Sequence, residues 1–99
     1  MRLLKKTYNR YFGQLDQVLK TKEIVIYRVT NQHGTQWYEV FKYQIHKPDK
    51  FNDDFYEAYP SDTSFGLWAW SCSNKKVVEK VLKEHFPDLD PDIYLQYIG

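Results

Sequence analysis

The 99-residue chain is short of cysteine, glycine and proline, with one, four and four of them, and neither charge is in excess, with 14 Lys plus Arg against 13 Asp plus Glu. A single thiol, Cys72, excludes an internal disulfide and any two-cysteine metal motif. Four scattered glycines, Gly13, Gly34, Gly66 and Gly99, supply no Gly-rich loop to cradle a phosphate. No run approaches the roughly 20 apolar residues of a membrane helix, and the amino end lacks the apolar stretch of a signal peptide, so the chain reads as soluble and cytoplasmic. Its length suffices for one hydrophobic core, which makes residues 1–99 a single domain.

Aromatic residues are plentiful. Three Trp, nine Tyr and six Phe each bring on the order of 150–250 Å² of buriable surface, which excludes a disordered tail. Charge is unevenly spread. Residues 1–30 hold Arg2, Lys5, Lys6, Arg10, Lys20, Lys22 and Arg28 against Asp16 and Glu23, a local balance of +5, and the remainder sums to −4. Such a basic third suits phosphate or an acidic partner. A sequence pI of ≈ 7.8 nevertheless disfavours duplex DNA as the partner of this chain alone.

Leu4, Tyr8, Tyr11, Leu15 and Val18, with Phe12 and Leu19 beside them, fall at helical spacing and predict an amphipathic helix over residues 1–22. Gly13 is its weak point, costing about 1 kcal/mol relative to Ala. The period then changes. Residues 23–30 and 35–47 are rich in β-branched and aromatic residues and predict two strands. Asn31-Gln32-His33-Gly34 joins them as a type I turn followed by a left-handed glycine. That turn sets Val25 opposite Phe41, Tyr27 opposite Glu39 and Val29 opposite Trp37. The face carrying these residues with Tyr43 and Ile45 is the expected core. The other face carries Ile24, Ile26, Arg28, Tyr38, Val40, Lys42, Gln44 and His46.

A loop over 48–54, a third strand over 55–59 and a fourth run over 65–72 follow, the last with Trp68 and Trp70 on one side. Ser73 or Asn74 caps a helix with an apolar stripe of Val77, Val78, Val81, Leu82 and Phe86 and a lysine-rich wet side, and Pro87 stops it. Asp90 and Pro91 start a short final helix that docks through Ile93, Tyr94, Tyr97 and Ile98. The expected fold is therefore α+β in the order α-β-β-β-β-α-α. A four-stranded, mainly antiparallel sheet carries a helix on one face, with residues 23–86 as the core and 87–99 as a helical tail.

Tyr38-Glu39-Val40-Phe41, Tyr59-Pro60-Ser61-Asp62, Phe65-Gly66 and Trp68-Ala69-Trp70 carry a resemblance over roughly residues 24–86 to a loose family of small bacterial and mobile-element proteins with a YEVF, YPSD, FG and AW pattern and a lysine-rich helix after it. No activity attaches to that family, so the resemblance implies a fold unit only. Pro60, Ser61, Asp62 and Gly66 are turn formers in their own right.

Candidate chemical groups do not converge. His33, His46 and His85 have no i, i+4 pair and no neighbouring thiol set, so no metal site is expected. Asp88, Asp90 and Asp92 copy the first alternate oxygens of a calcium loop, but Ile93 stands where the turn glycine belongs, and helix capping explains them. Cys72 beside two tryptophans reads as packed core rather than a nucleophile. Ser61, Ser64 and Asp62 lack a nucleophile elbow. Neither an enzyme nor a cofactor is expected. The leading expectation is a non-catalytic protein-interaction module, self-associating as a homodimer through Arg28, Tyr38, Val40 and Lys42 on the face left uncovered if the helix sits on the other. The alternative is a single-stranded nucleic-acid binder using the basic third with Tyr38, Trp68 or Trp70 as stacking rings.

Overall fold

The computed structural model describes residues 1–98. Gly99, the last residue of the expected helical tail, lies outside them. The chain runs through β1 (Thr7–Arg10), β2 (Gly13–Lys20), β3 (Ile24–Thr30), β4 (Gln36–Lys42), β5 (Ile45–His46), β6 (Tyr56–Glu57), β7 (Ala69–Cys72), α1 (Lys75–His85) and α2 (Pro91–Leu95). An antiparallel five-stranded sheet of order β1-β2-β3-β4-β7 forms the centre, and β5 and β6 pair separately.

The predicted amino-terminal helix does not form, so the expected four-stranded α-β-β-β-β-α-α arrangement is wrong. Residues 7–20 instead make a hairpin, with Tyr8 opposite Leu15 and Arg10 opposite Gly13. Two features imitate helical spacing. Tyr11 and Phe12 occupy the turn, and a bulge between Gln17 and Leu19 puts an extra residue, Val18, against β3. The bulge breaks the two-residue alternation, so Leu15 joins one face while Val18 and Leu19 both pack toward the other. Gly13 is demanded by close approach. A Cβ there would lie 2.4 Å from the Thr30 carbonyl oxygen, at φ +154°.

The second hairpin has the expected register throughout, from Ile24 opposite Lys42 to Thr30 opposite Gln36. Its turn closes through the Gly34 N–H donating to the Asn31 carbonyl at 3.0 Å, with Gly34 at φ 82°. Residues 55–59, expected as a third strand of the same sheet, contribute only the short β6.

Both faces of β3 are covered, where one was expected. Ile24, Val25, Ile26, Tyr27 and Val29 are all fully buried. Ile24, Ile26, Val40 and Cys72 pack under α1 and α2 with Val78, Val81, Leu82, Leu95 and Ile98. The lysine-rich helix thus lies on the even-numbered face, the one expected to stay open. Short branched side chains there make a shallow bed for a helix, each burial stabilising by about 1.5–3 kcal/mol. The odd-numbered face stands tall with rings and is met by Leu4, Tyr43, Tyr59, Phe65 and Trp68 arriving on loops. Tyr59 closes that layer, its centroid 5.1 Å from both Tyr27 and Phe41 and 5.5 Å from Tyr8. Ile45, expected in the core, is half exposed.

The helix signals act as read. The Asn74 side chain accepts the Val77 N–H at 3.1 Å, and Asp90 accepts that of Asp92 at 3.0 Å with Pro91 following. Leu95 and Ile98 dock α2, while Ile93 and Tyr97 point to solvent. Glu57 is the buried charge that joins the pieces. It accepts the Leu4 N–H at 2.8 Å, Lys20 Nζ at 2.7 Å and the Tyr43 hydroxyl. Burial works against its ionisation, but these three donors outweigh it and hold its pKa below the ordinary value.

Candidate functional site

The sequence-predicted binding residues are dispersed. Val40 is fully buried beneath the helices and cannot meet a partner. Tyr38 is half-buried and leans on the same cluster, opposite Arg28 in the ladder. Lys42 is exposed at the far end of β4, opposite Ile24. The two tryptophans, expected on one side, are split between the layers. Trp68 precedes β7 and packs its edge on Phe41, with centroids 6.1 Å apart. Trp70 stacks on His85 at 4.1 Å and 17° and meets Phe86 edge-on. Both rings are half-buried parts of the core.

The chemical candidates are equally separated. Cys72 is fully buried, and burial pushes its thiol up to about 11, so thiolate is scarce at neutral pH. His33 lies in the second turn, while His46 contacts Tyr56 and Trp68. No group of three His, Cys, Asp or Glu able to hold a metal occurs among the described residues. Ser61 bonds to Thr63 and Ser64 within a single helical turn, a local structural role. Among the described residues no helix is long and apolar enough to cross a membrane.

The feature that stands out is the first hairpin, which the helix expectation concealed. β1 is one of the two outermost strands, β7 being the other. Its pairing with β2 runs through Tyr8 and Arg10 and continues in the Gln17 N–H donating to the Lys6 carbonyl at 2.7 Å. By strand alternation, the N–H and C=O groups of Thr7 and Asn9 face away from the sheet. Both residues are exposed.

On one side of this edge two cations lie over the Tyr8 ring, the Arg10 guanidinium 4.9 Å and the Lys5 ammonium 5.9 Å from its centroid. Lys6 is exposed next to them. Among the described residues none of the three has a carboxylate within ion-pair distance. The other basic residues of the amino third are partly engaged. Lys20 is paired with Glu57, and Arg2 donates to Asn52 at 2.8 Å. The row is held from beneath, because Tyr8 packs on Tyr27 and Tyr59, and the Tyr27 hydroxyl donates to the Lys5 carbonyl. At the tip Tyr11 is 98% exposed, beside a groove of about 510 Å³ between the two hairpin turns, lined by Arg10, Tyr11, Gly13, Gln14, Thr30, Asn31 and Gln32.

No family model matches the chain, and no match was found among curated proteins or solved structures. The motifs quoted for the sequence resemblance are therefore understood by what they do in this fold. Val40 and Phe41 point into opposite core layers, Tyr59 closes the ring cluster, and Gly66, at φ 91°, turns the chain into β7.

The edge is hidden in the sequence because Lys5, Tyr8, Arg10 and Tyr11 fall within the stretch whose spacing predicts a helix. The local signal is Gly13, which pairs with Arg10 across the two-residue turn Tyr11-Phe12.

Proposed function

We propose that this chain is a non-catalytic protein-interaction module that engages its partner along β1. The observation that carries the reading is an outermost strand with outward-facing backbone groups, whose flanking cations have no acidic partner among the described residues. An unpaired edge is a template for strand addition, in which main-chain bonds supply affinity and alternate side chains supply specificity. The buried thiol and the scattered histidines favour binding over catalysis. We propose a cytoplasmic location, with which a single buried and unpaired thiol is consistent.

The homodimer expected through Tyr38 and Val40 does not carry over, since that patch is roofed by α1 and α2. Pairing β1 with a second β1 is also disfavoured, because it sets basic residues against basic residues.

A second reading, single-stranded nucleic acid, draws on one observation: Tyr11 is almost wholly exposed next to Arg10, and a stacked base is worth about 1–3 kcal/mol. Affinity capture by the immobilised full chain, with and without nuclease, separates the two. The module reading expects captured protein that survives nuclease and is lost with Asn9→Pro, which removes an outward N–H that the fold does not use. Capture abolished by nuclease overturns it in favour of the second reading.

A further inference from the structure

Resting on the interaction-module reading, we propose that the occupant of the β1 edge is an extended acidic segment of a partner protein. Its pattern is acid, any residue, apolar, any residue, acid.

The argument follows from strand geometry and charge. A strand added beside β1 lies about 4.8 Å away and places alternate side chains about 6.8 Å apart on one face. Backbone bonds to Thr7 and Asn9 fix its register, because those two residues alone carry outward groups within β1. On the ring side of the sheet, the added strand then runs past Lys6, Tyr8 and Arg10 in turn. Tyr8 presents an aromatic rung supported by Tyr27 and Tyr59, and an apolar side chain opposite it buries its surface on a ring that is already held in place. Lys6 and Arg10, two residues before and two after Tyr8 on the same ladder, face positions two residues before and two residues after that apolar residue. Acidic side chains there meet charges that have no other partner among the described residues. Because the pattern reads the same in both directions, parallel and antiparallel additions satisfy it alike.

Charge also selects against the other occupants. A basic or neutral strand leaves Lys5, Lys6 and Arg10 uncompensated, and a second copy of this chain brings like charges to the seam. Nucleic acid satisfies the cations but does not use the outward amide and carbonyl groups in a regular ladder.

The test uses the full chain and a fluorescent nine-residue peptide in which glutamates stand two residues before and after a central valine, with threonines elsewhere. Anisotropy measures affinity and amide NMR shifts locate the contact. We expect saturable binding, shift changes centred on Thr7 and Asn9, and about tenfold weaker binding when both glutamates move next to the valine, where they face the opposite side of the added strand. Raising salt from about 0.05 to 0.5 M is expected to weaken the first peptide several-fold. Arg10→Glu weakens it, and a peptide with one glutamate replaced by lysine recovers binding to that variant. Asn9→Pro removes binding, with circular dichroism showing that the variant remains folded. Equal binding of the two peptides, no binding up to about 1 mM, or shift changes confined to the Lys42 end of the sheet overturns the proposal. So does an oligothymidylate that displaces the peptide at equal concentration. Partner capture that is sensitive to Asn9→Pro, combined with no peptide binding, removes the acidic pattern while keeping the module reading.

Discussion

The two hairpins of the central sheet differ in their turns, two residues between Arg10 and Gly13 against three between Asn31 and Thr35, and in everything around them. The β3–β4 hairpin occupies the middle of the sheet, covered on both faces, and its side chains alternate without interruption. The β1–β2 hairpin lies at the edge, carries a bulge at Val18, and puts two aromatic residues at its tip. A strand buried on both faces is legible as a continuous run of β-branched and aromatic residues, as at Ile24–Tyr27. At an edge, where one side of the strand meets water and a bulge is tolerated, the same backbone leaves a pattern that resembles a helix.

Substitutions at matching places sharpen the contrast. Tyr27→Ala, in the covered hairpin, removes a fully buried ring and its hydroxyl bonds with Gln17 and Lys5. It is expected to cost about 4 kcal/mol in chemical denaturation. Gly13→Ala comes next, at about 3 kcal/mol, because its Cβ meets backbone at 2.4 Å. Gly34→Ala has nothing within 4 Å of the new Cβ and only a left-handed φ to strain, so about 1 kcal/mol is expected. Equal costs at the two glycines would mean that the close approach of β2 to Thr30 is not a constraint.

Glu57 links the ends of both hairpins through Lys20 and Tyr43. Glu57→Gln is expected to cost about 2 kcal/mol at neutral pH, since a charged acceptor of three donors is lost. The folded pKa of Glu57 is depressed, so its contribution is present above the ordinary carboxyl value and disappears as pH falls through the folded value. The difference between wild type and variant should therefore close in acid, as thermal melts at stepped pH will reveal. A constant difference across pH would show that charge is not what Glu57 supplies.

The smallest effect is expected at Tyr11→Ala. With that ring 98% exposed, stability should change by less than about 0.5 kcal/mol. A reduced partner affinity in the same variant would extend the binding surface from the β1 edge to the tip.

Much of the fold could be read from local signals. Asn74 and Asp90 with Pro91 marked the helix starts, and Asn31 through Gly34 set a register that holds over seven pairs. These depend on interactions within a few residues, so the chain carries them openly. The candidate site was not legible in the same way. Its cations were visible as a basic third, but their gathering around Tyr8 depends on the hairpin, which the helical spacing disguised. Val40 and Tyr38 read as available when a single covered face is expected. Their burial depends on α1, which begins at Lys75, 35 residues after Val40.

By itself, the order of residues determined the second hairpin, the caps, the helices at 75–85 and 91–95, and a supply of rings that had to be buried. Only the tertiary structure decided which face each element covers and which strand is left at the edge. The reason is physical: turns and caps are satisfied by neighbours in the chain. The partner of an apolar face, and the absence of a partner for an edge, depend on what distant segments bring to it.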